Sequence, residues 1–359
     1  SKDFIGEIEG FLAILEDRLM EFKEIEFRGM TLTEEDLIQL FYYKFTETPL
    51  LKRMDAVKDY FIDSWETLKG RNISEDDQEM LQMKFDKMYT TKDIYTIYNW
   101  MLDDCGCDLL PEVPYEKRKL PYEDVFPMLY LKYRLSGGNS THKNIKHLVI
   151  DEMQDYTYLQ YTILESLFHC RMTILGDRAQ TLDTKQQDVL RFLPKLLGRE
   201  IRTIEIKKSY RNTLEIARYA EKVSGVSDLE LLDRHGKEVV EKTFNTDTEL
   251  LDELVCHLKC PGDFETAALI TTTEEEAFDL SRLLKLRGIN VSYVDRNSSA
   301  FKKGLTVTTF YLAKGLEFDQ VFALRGAKEN PLKNQAEYIC ATRALHELYV
   351  YEIADSLSK

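Results

Sequence analysis

Apolar residues at Phe4, Ile5, Ile8, Phe11, Leu12, Leu15, Leu19 and Phe22 recur mostly three and four positions apart, the period of one helix face. The same reading carries through to about residue 104. Thr33-Glu34-Glu35-Asp36 is a capping signal ahead of a helix over 37–45, Pro49 marks a further start, and Ser74-Glu75-Asp76-Asp77 caps another helix. Tyr89, Tyr95, Tyr98 and Trp100 are expected in the core, because few of the basic residues that a base-stacking surface needs lie among them. Residues 105–121, with Cys-Gly-Cys and Pro111, Pro114 and Pro121, have the composition of a connector.

Beyond it the period changes. A helix over 125–135 leads through Ser136-Gly-Gly-Asn-Ser to a strand at 146–150, expected to be buried. Then come a helix at 158–168, strands at 172–175 and 201–206, a helix at 214–223, a strand at 267–271 and a helix at 274–286. Strands at 291–294, 305–309, 320–324 and 348–353 complete the set. Alternation of this kind predicts an α/β fold with mostly parallel, doubly wound sheets, with a boundary between two of them near Gly198.

Composition narrows the class. With 43% apolar and 31% charged residues in 359, the chain has the make-up of a soluble globular protein of two or three domains. No apolar run approaches the ~20 residues of a membrane span, so no membrane partner is expected and the cytoplasm is the default compartment. The start at Ser1 rather than Met fits a fragment or a tag scar. The six cysteines form no C-x-x-C pair; Cys256-His257-x-x-Cys260 lies on a helical pattern with no second ligand pair, so reduced structural cysteines are expected. The net charge of −15 is uneven: residues 1–110 hold 13 Lys and Arg against 25 Asp and Glu, a net of −12. Such a surface is a poor binder of phosphate backbones and reads either as a solvated helical face or as a protein-binding one.

The chemistry starts at the strand Lys146-His147-Leu148-Val149-Ile150, which ends in Asp151-Glu152. Two carboxylates at the C-terminal end of a strand of an open α/β sheet stand where ligands bind, one able to hold Mg²⁺ and its neighbour to orient water. No G-x-x-x-x-G-K-[ST] phosphate loop occurs in these residues; Gly236-Lys237 is followed by Glu238. The chain therefore reads as the distal part of a nucleotide-driven machine.

Five segments follow in order: Asp151-Glu152-Met153-Gln154-Asp155-Tyr156; Leu175-Gly176-Asp177-Arg178-Ala179-Gln180; Lys208-Ser209-Tyr210-Arg211-Asn212; Tyr311-Leu312-Ala313-Lys314-Gly315-Leu316-Glu317-Phe318; and Ala341-Thr342-Arg343-Ala344. Together they resemble motifs II to VI of the UvrD/Rep group of superfamily 1 helicases. Ile97-Tyr98-Asn99-Trp100-Met101-Leu102, Tyr122-Glu123-Asp124 and the 311–319 segment resemble its HelD-type (DNA helicase IV-like) branch. The resemblance implies RecA-like P-loop NTPase sheets, with residues 1–110 as a helical arm inserted in the first RecA-like domain. Residues 111–200 would be the distal half of that domain and 201–359 the second RecA-like domain.

It also implies ATP and Mg²⁺ as cofactors, with RNA polymerase, released or recycled by ATP hydrolysis, as a partner. Asp151 would hold the metal and Glu152 would polarise water. Gln180 would sense the γ-phosphate; Arg211 and Arg343 would act as arginine fingers. Tyr210 would stack on adenine and Glu317 would meet the ribose or phosphate side. Two departures matter. Thr181-Leu182-Asp183-Thr184-Lys185 lacks the aromatics that stack on single strands in translocating relatives, and Tyr311 stands where those relatives carry His. Both favour protein remodelling over unwinding. A 3′-to-5′ DNA helicase of repair, touching DNA, and a non-hydrolysing interaction module are the alternatives.

Overall fold

The computed structural model describes residues 2–138, 144–181, 189–198, 201–225, 230–259, 264–298, 303–326 and 331–354. They form two compact units: Ser1–Ile150 with Tyr156–Thr173 and Val189–Arg199, and Asp151–Asp155 with Ile174–Asp188 and Glu200–Lys359.

The first unit is mainly helical. Helix α1 (Lys2–Leu19) is followed by a hairpin of β1 (Ile25–Phe27) and β2 (Met30–Leu32), then α2 (Glu34–Gln39), which runs into a π-helical turn at Leu40–Lys44. Next come α3 (Leu50–Lys69), α4 (Glu75–Asp86), α5 (Ile94–Asp104) and α6 (Tyr122–Ser136). The expected boundaries have physical causes. Thr33 closes a capping box with Asp36, Ser74 accepts the Asp77 N–H, and α3 stops at Gly70, whose φ of +65° suits a residue without Cβ. The α1 stripe is buried at Ile8, Phe11, Leu15 and Leu19, and Tyr89, Tyr95 and Tyr98 are core, as expected. One apolar cluster runs from Ile8 through Trp65 and Tyr98 to Leu131, Leu159 and Ile163, so residues before and after the 105–121 connector share a core. Arg53, 5% exposed, is accommodated by Glu16 and by the carbonyls of Thr46 and Thr48.

Strand β3 (His147–Ile150) pairs with β4 (Arg171–Ile174); α7 (Tyr158–Leu167) lies between them in sequence and α8 (Val189–Leu197) follows. The expectation that the strand ahead of Asp151 is buried is corrected here. Only Ile150 is buried and Val149 is 61% exposed, because among the described residues the sheet has two strands and leaves an apolar face uncovered.

The second unit carries the α/β fold the alternation predicted. Its elements are β5 (Lys208–Ser209), α9 (Leu214–Ser224), β6 (Glu230–Leu231), β7 (Val240–Phe244), α10 (Asp247–Lys259), β8 (Thr266–Thr271), α11 (Glu274–Leu286), β9 (Ser292–Tyr293), β10 (Gly304–Thr309), β11 (Phe318–Arg325), α12 (Lys333–Arg343) and β12 (Ala344–Ile353). Six strands form one parallel sheet in the order β7-β12-β11-β8-β10-β9, consistent with a RecA-like domain. Alternate residues face opposite sides. Ala268, Ile270, Val321, Ala323, Leu348 and Val350 pack with α9 and α12, whereas Leu269, Phe322, Tyr349 and Tyr351 pack with α10 and α11. The strand expected at 201–206 does not form. Three of its six residues are isoleucine, a strand-favouring content, but no strand among the described residues supplies a ladder, and Ile204 and Ile206 are 68% and 80% exposed.

Candidate functional site

The candidate residues gather in the second unit, at the edge where β11 and β12 begin. The turn 151–155 and the segment 174–181 belong to this unit, so motif-like segments II and III meet V and VI inside one compact body.

In the turn, Glu152 takes a φ of +54°, rare for a residue with a Cβ. Its N–H donates to Asp151 Oδ1 at 2.8 Å, the Met153 N–H to the Leu175 carbonyl at 2.8 Å, and the Asp155 N–H to the Glu152 carbonyl at 2.9 Å. Gln154, 7% exposed, bridges the segments: its Nε2 donates to Glu152 Oε2 at 2.6 Å and its Oε1 accepts the Asp177 N–H at 3.0 Å. Gly176 permits this approach, since a Cβ there would run into the Gln154 and Met153 side chains and lie 2.7 Å from the Met153 nitrogen.

Asp177 caps the short 3₁₀ turn Arg178–Gln180 by accepting the Ala179 N–H. Its Oδ2 accepts from Gln180 Nε2 at 2.9 Å and from the Tyr338 hydroxyl at 2.8 Å. Burial, and then the charge of Asp177, raise the Tyr338 phenol above its ordinary value. Gln180 is held from two further sides. Its Oε1 accepts from Arg343 Nη2 at 3.3 Å and its carbonyl from Lys314 Nζ at 3.2 Å.

Arg343 ends α12 and is 2% exposed. Nη1 donates to the Leu316 carbonyl and Nη2 also to Thr342 Oγ1, while Nε has no hydrogen-bond partner among the described residues. Burial, and next the charge of Arg211, push its pKa below the usual arginine value. Arg211 pairs through Nε with Glu317 Oε1 at 2.8 Å, both side chains about half exposed. Asn212, buried beside it, donates to the carbonyls of Ala341 and Ala344, tying segment IV to the end of α12.

Of the sequence-predicted residues, Glu152, Gln180 and Arg343 thus fall in one network, and Arg211 with Glu317 forms a charged pair acting on Arg343. Asp151 is exposed, with one carboxylate oxygen turned back to the chain, and the Tyr210 ring is 62% exposed. Of the aromatic-free stretch after Gln180, Thr181 is buried, while 182–185 lie outside the described residues. Tyr311 donates to Glu274 Oε1 at 2.9 Å, an acceptor shared with Arg296. Sequence reasoning assigned no role to Lys314, Asp155, Asp177 or Tyr338. The first three sit inside the motif-like segments, which was the available signal; Tyr338 had none.

The residues fit a nucleotide and its metal in their donor chemistry. A buried guanidinium with an unpaired Nε and a second, half-exposed one make an anion-seeking pair. No cluster of three or more His, Cys, Asp or Glu that could cage a metal occurs among the described residues, and Mg²⁺ needs none, since one or two carboxylates with phosphate oxygens suffice. No helix among the described residues is long and apolar enough to cross a membrane.

No protein-family model and no curated protein matches the chain. Among solved structures, the C-terminal domain of a possible DNA helicase from Lactobacillus plantarum WCFS1 is 25% identical, over 40% of this chain and 88% of that one, with a TM-score of 0.33. The PRRSV helicase is 16% identical over 73% of this chain and 46% of that one, with a TM-score of 0.36. The arterivirus nonstructural protein 10 helicase, in complex with DNA, is 17% identical over 33% of this chain and 29% of that one, with a TM-score of 0.25. This chain spans less than half of either viral helicase, and likenesses this loose carry no argument about chemistry.

Proposed function

We propose that this chain is the distal part of a superfamily 1 helicase-like ATPase, coupling ATP hydrolysis to remodelling of a nucleic-acid complex. The observation that carries the reading is the single network joining Arg343, Gln180 and Lys314 to the Glu152 turn. Segments far apart in sequence converge there with the residue types that phosphoryl transfer needs. ATP with Mg²⁺ supplies the transferable phosphoryl and the charge to be stabilised. Asp151 would hold the metal, Glu152 would accept a proton from water at its carboxylate, and Gln180 would offer its amide to the terminal phosphate. Arg343 and Arg211 would stabilise charge spreading over that group, Glu317 keeping Arg211 in place, and Tyr210 would present its exposed ring to the base.

The finer reading is release of RNA polymerase. The HelD-type phrases and the −12 charge of residues 1–110 support it, because an acidic helical surface suits a basic channel that otherwise holds nucleic acid. The test is ATP turnover by the intact protein. Glu152→Gln is expected to abolish hydrolysis while leaving ATP binding largely intact, and Arg343→Ala to cost roughly 10³-fold or more in kcat, as removal of an arginine finger does. Turnover near the parental rate in Glu152→Gln refutes the assignment of Glu152, whereas no ATP turnover by the unsubstituted intact protein refutes the ATPase reading and leaves the non-hydrolysing module.

A further inference from the structure

We propose that Lys314 is a positioning residue for Glu152; the inference rests on the ATPase reading above. The Lys314 side chain is 8% exposed, unusual for an ammonium on a flexible stem. Its Nζ lies 2.7 Å from both carboxylate oxygens of Asp155 and 3.2 Å from the Gln180 carbonyl. An ammonium has three donors and no acceptor, and these three oxygens use them. Glu152 Oε2 stands 3.5 Å away, a charge contact rather than a hydrogen bond.

The anchor is rigid on the lysine side. Ala313 is fully buried and donates its N–H to the Thr309 carbonyl, Leu316 N–H bonds back to the Ala313 carbonyl, and Gly315 takes a φ of +82°. Lys314 therefore projects from a fixed turn between β10 and β11. On the other side is the strained turn. Glu152 holds a left-handed backbone that persists only where its surroundings over-determine it. Gln154 fixes the carboxylate end, and Asp155, whose N–H bonds to the Glu152 carbonyl, fixes the far end of the same turn. Lys314 is what binds Asp155 to the sheet. It has no need to touch a nucleotide: it sets where the Glu152 carboxylate stands, and ties that position to the Gln180 turn.

The expected behaviour in the intact protein is a loss confined to turnover. Displacing a catalytic group by ~1 Å costs up to about 10²-fold, so Lys314→Met should lower kcat roughly 10- to 100-fold with the KM for ATP nearly unchanged. Lys314→Arg, which keeps the charge, should recover part of it. Asp155→Asn should fall in the same range, and Lys314→Met with Asp155→Asn should be no worse than the weaker single variant, since both break one contact. A second readout needs no turnover. In the 359-residue chain, Lys314→Met should speed amide hydrogen exchange at Met153 and Asp155 while the α10 and α11 amides keep their protection. An unchanged kcat in Lys314→Met, additive losses in the double variant, or unchanged exchange at Met153 and Asp155 overturns the proposal. Loss of hydrolysis in Glu152→Gln with full turnover in Lys314→Met overturns it alone; full turnover in Glu152→Gln removes the Glu152 role it rests on, and no turnover by the unsubstituted intact protein overturns the ATPase reading with it.

Discussion

Replacing Gly176 by alanine adds one methyl group where the structure has no room for it. The new Cβ would overlap Gln154 Oε1 and Met153 Cγ and lie 2.7 Å from the Met153 backbone nitrogen. The side chains can swing away, but the nitrogen is pinned by its 2.8 Å bond to the Leu175 carbonyl. Overpacking of this kind costs ~1–3 kcal/mol. If Gln154 swings out, the Asp177 N–H loses its acceptor and the Glu152 carboxylate its donor. An unsatisfied buried group adds about 1–3 kcal/mol, so the whole is on the order of 2–6 kcal/mol. For a domain of this size that lowers Tm by roughly 5–15 °C. Trp65 and Trp100, the only tryptophans, both belong to the first unit, so tryptophan emission reports that unit while far-UV circular dichroism also follows the second unit's sheet. Gly176→Ala should bring the dichroism transition down relative to the tryptophan one. A dichroism Tm within ~2 °C of the parent would refute the close-approach argument, given the conversion above.

Three other outcomes are expected. These 359 residues alone should hydrolyse ATP negligibly, because without a phosphate loop Arg211 and Arg343 have no fixed phosphates to act on; turnover matching the intact protein would refute this. The His235 bond to Glu215 should make the start of α9 pH-sensitive. Hydrogen bonding from His235 holds Glu215 at about 2, below 4.5, and Glu215 raises His235 above 6.5. The pair's contribution is therefore lost as pH falls from 4.5 towards 2, and lost again as pH rises through the raised His235 value. The Tm difference between the parent and His235→Gln should be larger at pH ~6 than at pH ~9, and a difference independent of pH would contradict the assignment. Finally, the chain should bind RNA polymerase in a salt-dependent way and bind DNA weakly, since the acidic residues 1–110 repel phosphates. Micromolar DNA binding at physiological salt without polymerase binding would restore the DNA-helicase alternative.

Legibility of the fold followed the strength of each local signal. The α1 stripe, the Thr33 and Ser74 caps and the 274–286 helix could be read because spacing and capping chemistry agree there. Helix α12 could not. Tyr338, Ile339, Cys340 and Ala341 are buried in succession beside Arg343, so no face alternates. Strand β7 was missed because Glu241, Lys242 and Thr243 are exposed on a sheet edge, where pairing with β12 decides the conformation and apolar pattern does not. The reverse error at 201–206 has the same root: β-branched content favours an extended chain, and only a neighbouring strand makes a ladder of it.

The site was legible as an order of segments, and its energetics were not. Nothing in the spacing of Lys314 says that its ammonium is buried, since lysine is ordinarily a surface residue. Nor does Asp155 announce itself as its counter-ion from 159 positions away. What the assembled geometry adds is an imbalance. Arg343 is buried with an unpaired Nε, it feels the repulsion of Arg211, and the carboxylate answering Arg211 is a half-exposed Glu317. A buried cation pushed below its ordinary pKa is a cost to the folded chain unless an anion arrives to meet it. Glu152 offers some compensating charge, but its carboxylate is already engaged by Gln154 and approached by Lys314. The deficit that remains is one of negative charge at Arg343, at a place flanked by an amide and a second guanidinium. A polyphosphate has the chemistry to fill it, as do other anions, and this deficit supports the nucleotide proposed above without resting on a resemblance to any relative.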